Sequence, residues 1–73
     1  MATASTNECV VEIGEAAGVI WKILDESGPA SVAQLVKSSE KSRDLVMQGL
    51  GWLAREDKIE IKEVRRSRMV SLR

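Results

Sequence analysis

The side chains best suited to surface chemistry fall into two groups. Lys41, Ser42, Arg43, Met47 and Gln48 share one short stretch, and Arg65, Arg66 and Arg68 crowd another. Arg offers two parallel N–H donors that match guanine O6 and N7, and Gln pairs in the same way with adenine N6 and N7. Lys and Arg also neutralise phosphates, and a hydroxyl at a helix N-terminus adds a phosphate contact. The first group therefore has the makings of a base-reading helix, with Lys41 and Ser42 set to hold phosphate at its start. The arginine triplet would hold backbone phosphate without reading sequence. Each group also has a plainer reading. The first could be an ordinary solvated helix face, and Asp44 faces the same way and repels phosphate. The second could be a charged hairpin tip that prevents edge-to-edge aggregation.

Composition removes most other chemistry. The chain has no His, Tyr or Phe and one cysteine, Cys9, so no internal disulfide can form, and a zinc site, which needs about four N, S or O ligands, is not expected. Cys9 has no basic neighbour to activate it and reads as an incidental thiol. The acid pairs Asp25-Glu26 and Glu56-Asp57 lack a companion nucleophile or metal set, and the second is explained by turn chemistry at a helix end. No catalytic residue, cofactor or small-molecule substrate is expected, and the chain reads as a non-enzyme. The opening Met1-Ala2-Thr3-Ala4-Ser5-Thr6 lacks the basic start and apolar run of a signal peptide, and no run approaches a bilayer span. A cytoplasmic location without membrane contact is the expectation.

Charge is balanced overall but not along the chain. Lys and Arg number 11, as do Asp and Glu, so no global basic field announces nucleic acid. Residues 1–57 nevertheless carry a net charge of −4 and residues 58–73 a net charge of +4.

The elements that must position these groups follow from periodicity. Residues 1–7 are small and polar and read as a flexible tail, with residues 8–73 as one domain. Over residues 8–26 a stripe of Ile13, Ala17, Ile20 and Leu24, flanked by Val10 and Trp21, has helical spacing. Thr6 or Asn7 could cap that helix, and Gly28-Pro29 stops it. Gly14 and Gly18 weaken the helix and suggest close approach of another backbone. Ser31 and Gln34 fit a capping box ahead of a short helix with Val32, Leu35 and Val36 on one face. A brief extended segment at Pro29-Ala30 could precede it.

Ser42 then caps a longer helix that runs to about Glu56. Its inner face is Leu45, Val46, Gly49, Leu50, Trp52 and Leu53, and its outer face carries Arg43, Asp44, Met47, Gln48, Gly51 and Arg55. Trp21 and Trp52 could be base-stacking platforms, but their place beside apolar stripes favours core or interface packing. Met47 either marks a protein contact or is a plain surface methionine.

The period then changes to two. Residues 58–63 alternate polar and apolar, and residues 68–73 read as a second strand. Pairing Ile59 with Leu72 and Ile61 with Val70 puts four aliphatics on one face and sets Glu63 against Arg68. Ile61 is then expected to face the core, so that Ile61→Lys would unfold the domain. Arg65-Arg66 is left at the tip, where neither residue favours positive φ, and a loose, mobile turn is expected.

A short helix, a tight turn, a longer helix and a hairpin make an α+β winged helix-turn-helix: three helices followed by a two-stranded wing. The blocks Ala17-Gly18-Val19-Ile20-Trp21 and Leu50-Gly51-Trp52-Leu53-Ala54-Arg55-Glu56 also resemble a family of small, stand-alone winged helix-turn-helix proteins of bacteria and archaea, largely uncharacterised. The likeness extends over about residues 10–73. It implies the winged-helix fold, a DNA-binding or regulatory role and no catalytic residues. The chain departs from the family in carrying Arg65-Arg66-Ser67 where the wing tip is usually rich in Gly or Asn.

The expected partner is double-stranded DNA, with residues 42–56 as recognition helix and residues 58–73 as wing. A homodimer would spread this neutral chain's charge over two half-sites. The competing expectation is a protein-interaction module that homodimerises or docks another protein.

Overall fold

The computed structural model describes the backbone of residues 2–73 and the side chains of residues 8–73. The described residues form helix α1 (Ala2–Ser27), strand β1 (Ala30–Ser31), helices α2 (Val32–Ser39) and α3 (Arg43–Arg55), and strands β2 (Ile59–Val64) and β3 (Ser67–Leu72). The backbone is helical from Ala2, so α1 starts earlier than the apolar pattern indicates, and Thr6 and Asn7 lie inside it rather than at its cap. The side chains of the expected flexible tail, residues 1–7, lie outside the described residues.

Each helix ends where the local chemistry dictates. Gly28, at φ +82°, donates its N–H to Leu24 O at 2.9 Å and turns the chain out of α1. Helix α2 starts with the expected capping box. Gln34 N–H donates to Ser31 Oγ at 3.1 Å, and Ser31 N–H donates to Gln34 Oε1 at 2.9 Å. Ser42 caps α3 by accepting the Leu45 N–H at 3.2 Å. At the far end of α3 the N–H groups of Asp57 and Lys58 donate to Ala54 O and Leu53 O, with Asp57 at φ +63°. That is a Schellman motif, and it is the turn chemistry expected at the Glu56-Asp57 pair.

The core lies where α1 crosses α3. Ala16, Ala17, Ile20 and Leu24 of α1 are buried against Val46, Gly49, Leu50 and Leu53 of α3. Contact is closest at Gly49: a Cβ there would sit 3.1 Å from Ala17 N and 3.1 Å from Ile20 Cδ1. Val32 and Leu35 of α2 close one side, and Ile59 and Val70 of the sheet close another.

Gly14 and Gly18, expected to admit a neighbouring backbone, have nothing within 4 Å of where a Cβ would stand. Helix α3 crosses on the Ala16–Ala17 side, and the close approach falls to Gly49 instead. For the same reason Trp21 and Trp52 are not core residues; they remain 40% and 41% exposed.

The hairpin register is the expected one, with Ile59 opposite Leu72, Ile61 opposite Val70 and Glu63 opposite Arg68. Three details differ from expectation. The extended segment at Ala30–Ser31 pairs with Val70 and Met69, so the wing belongs to a three-stranded sheet of order β1-β3-β2. The tip is a tight two-residue turn: Val64 pairs with Ser67, and Arg65 takes φ +57°. Positive φ at the first central residue alone is the pattern of a II′ turn, whose twist suits the strands even without glycine. Finally, Ile61 is 42% exposed although Ile59, on the same face, is 4% exposed. Val70, opposite Ile61 on the central strand, is fully buried, so the cover fails sideways: Ile61 stands on the outer strand β2, one step beyond Ile59 and outside the helices' reach.

These contacts set two expectations for thermal unfolding. Gly49→Ala lowers stability because the Ala17 backbone must yield, whereas Gly51→Ala, with open space at its Cβ, raises it by about 1 kcal/mol. Ile59→Lys abolishes the cooperative transition, while Ile61→Lys shifts stability by no more than about 1 kcal/mol. Equal effects at Ile59 and Ile61 would contradict this account of helical cover.

Candidate nucleic-acid interface

The two turns that flank α2 bring the start of α3 towards the wing. Between them lies a cleft of about 390 Å³ lined by Ser31, Val32, Ala33, Arg43, Met47, Arg66, Ser67 and Arg68. Of the residues singled out by sequence, Arg43, Met47, Arg66 and Arg68 meet here. Arg43 and Met47 are four apart and share one face of α3, and Arg66 and Arg68 reach the cleft from the wing.

Four other sequence candidates lie outside the lining. Arg65 occupies the first position of the hairpin turn and is exposed. Ser42 Oγ accepts the Leu45 N–H as the α3 cap. Lys41 is half-buried in the turn between α2 and α3, where its N–H donates to Ser39 Oγ at 3.3 Å. Gln48 is exposed but stands about 100° round the helix from Met47, on the side of Asp44.

Ser31, Val32, Ala33 and Ser67 were missed as cleft residues. The capping box marked a helix N-terminus at Ser31, but nothing in the sequence showed that the wing folds over it. The N–H groups of Val32 and Ala33, in the first turn of α2, have no intrahelical acceptor and carry the positive end of the helix dipole. The cleft thus combines the positive end of a helix dipole with three arginines. Ion pairs among the described residues join Lys58 to Glu56 at 3.4 Å and Arg73 to Asp57. Arg43, Arg66 and Arg68 take part in neither pair. Glu63 opposes Arg68 in the register but forms no ion pair with it. The cleft therefore offers three arginines that take part in no ion pair among the described residues, which suits an anion such as backbone phosphate.

Comparison with known proteins adds the family. The description "Winged helix-turn-helix domain (DUF2582)" matches residues 6–72. The chain belongs to the DUF2582 family. Within reach of this family, the uncharacterised protein MJ1608 of the archaeon Methanocaldococcus jannaschii is 45% identical over 51 residues, which is 66% of this chain and 71% of that protein.

Among solved structures, HlyU from Vibrio cholerae N16961 superposes with a TM-score of 0.67 at 19% identity, covering 96% of this chain and 77% of HlyU. Reduced HlyU from the same organism gives 0.64 at 19% identity, over 97% and 79%. At this identity the likeness establishes a shared winged-helix fold. As a DUF2582 chain with that fold, the protein has its helix-turn-helix in α2 and α3 and its wing in β2 and β3. No helix among the described residues is long and apolar enough to cross a membrane.

The floor of the cleft depends on the α2 cap. Ser31→Ala removes the Gln34 N–H acceptor and is expected to cost about 1 kcal/mol. It should also speed amide exchange at Val32–Gln34 more than in α3, which hydrogen-exchange NMR would read.

Proposed function

We propose that this DUF2582 protein is a DNA-binding, transcription-regulatory module that works in the cytoplasm on double-stranded DNA without catalysing a reaction. The single observation that carries the reading is the convergence of Arg43, Arg66 and Arg68 at the N-terminal end of α2. In this reading α3 enters the major groove and one strand's phosphates run through the cleft. Arg66 and Arg68 grip phosphate from the wing, Arg65 follows at the tip, and Lys41 and Ser42 hold phosphate at the start of α3. Met47 and Gln48 face base edges, with Arg43 placed to serve either a guanine or the adjoining phosphate. Two copies related by a two-fold axis would present two such helices to successive half-sites.

A second reading, a protein-interaction module, draws on a different observation. Trp21 and Trp52 stand exposed on the side of the domain away from the cleft, at about 140° round α3 from Met47. The two readings use different faces and do not exclude each other.

Fluorescence anisotropy with mixed-sequence duplexes across a salt series tests the first reading. Wild type is expected to bind with an affinity that falls steeply with salt. Arg66→Ala with Arg68→Ala should weaken binding to all sequences alike and flatten the salt slope by roughly two contacts' worth. Gln48→Ala should instead relax preference at one base position, with little change in slope. Wild type that fails to bind any duplex at low salt would overturn the assignment.

A further inference from the structure

The face carrying the two tryptophans has features that single out its occupant. A groove of about 300 Å³ runs between α1 and the end of α3, lined by Gly14, Gly18, Trp21, Trp52 and the Glu56–Lys58 pair among others. Val10, Gly14, Gly18 and Trp21 form one stripe along α1, next to the stripe that faces the core. Nothing lies within 4 Å of a Cβ at Gly14 or Gly18, so the helix backbone is bare there. Two glycines that weaken a helix and meet nothing within their own chain are costly unless another helix comes close.

We infer that a second copy of this chain occupies the groove, with the two α1 helices packed antiparallel about a two-fold axis at Gly18. The charge pattern selects this occupant. Glu15 and Lys22 are both exposed on one edge of the stripe, and their midpoint falls within half a residue of Gly18. In an antiparallel pair related by a two-fold axis, the same edge of each helix meets its counterpart. Glu15 of each copy therefore lies beside Lys22 of the other, and the contact occurs twice. Gly14 and Trp21 are centred on Gly18 in the same way, so each indole lies over the bare backbone at the other copy's Gly14. A partner with a different sequence would not need this symmetry. The chain's formal charge of zero sets no net repulsion against self-association. The inference deepens the two-copy arrangement proposed above and involves no DNA. The cleft with Arg43, Arg66 and Arg68 remains open in the dimer's outward direction on each copy, because it lies on the other side of α3.

Sedimentation equilibrium without DNA tests the interface, with circular dichroism confirming the fold of each variant. Wild type is expected to be dimeric at about 100 µM, a concentration that populates even a modest interface. A Cβ at position 18 has open space and Glu raises helix propensity over Gly, so Gly18→Glu should leave a folded monomer. Glu15→Lys and Lys22→Glu should each weaken the dimer by about tenfold or more, through two like-charge contacts. The double variant Glu15→Lys/Lys22→Glu should restore it. Because the two positions are seven residues apart within one chain, rescue reports contact between copies. Gly18→Cys in a Cys9→Ser background should form a disulfide-linked dimer under mild oxidation. Monomeric wild type, a double variant no better than either single one, or no cross-link at position 18 would each overturn the inference. Loss of DNA binding by a protein that still dimerises would count against the proposed function alone.

Discussion

The approach of two backbones at Gly49 governs the arrangement of this domain. With no Cβ at that position, α3 settles directly against the Ala16–Ala17 segment of α1. That contact fixes which stripe of each helix is buried, and Val46, Leu50 and Leu53 then share the core with Ile20 and Leu24. Once α3 is placed, the Schellman turn at its end sends the chain back as β2, and the apolar surface left between the helices accepts Ile59 and Val70. A larger residue at 49 would push α3 outwards and change the spacing of every element that follows.

Because α1 takes one side of α3, the opposite side is left to face solvent with the wing. The charge along the chain supports this division. The acidic residues are concentrated in the helices and the basic ones in the last sixteen residues, so a protein of zero net charge still presents a positive cleft. Local arrangement, not total charge, decides what such a surface can attract at short range, since screening erases more distant contributions. The third strand also matters here. Pairing of Ala30–Ser31 with β3 ties the start of α2 to the wing, so the first turn of α2 and the wing arginines share one frame.

The tryptophans show how periodicity misleads at an edge. Trp21 and Trp52 have the spacing of buried residues, yet each lies on the margin of its stripe, beyond the line along which α1 and α3 touch. A hydrophobic pattern specifies a face some 100° wide, and which part of that width is covered depends on the crossing angle. The same logic applies to Ile61, whose place in the alternation is correct but which stands on the outer strand of the sheet, beside the fully buried Val70 and beyond the helices' cover.

What the sequence determined by itself was everything set by near neighbours: the capping box at Ser31, the cap at Ser42, the stop at Gly28, and the hairpin register with Glu63 against Arg68. These depend on interactions across a few residues or on a period-two match, and the residue types alone encode them. What tertiary structure decided was everything that depends on how elements meet. It gave the close approach to Gly49 rather than to Gly14 or Gly18. It turned Ala30–Ser31 into a strand and tightened the Arg65–Arg66 turn to suit the twist of its strands. It brought Arg43 to Arg66 and Arg68, more than twenty residues away, while leaving Lys41, Ser42, Gln48 and Arg65 outside the cleft. The physical reason is that side-chain chemistry reads out locally, whereas the distance between two surfaces is set by the packing of backbones that no short pattern records.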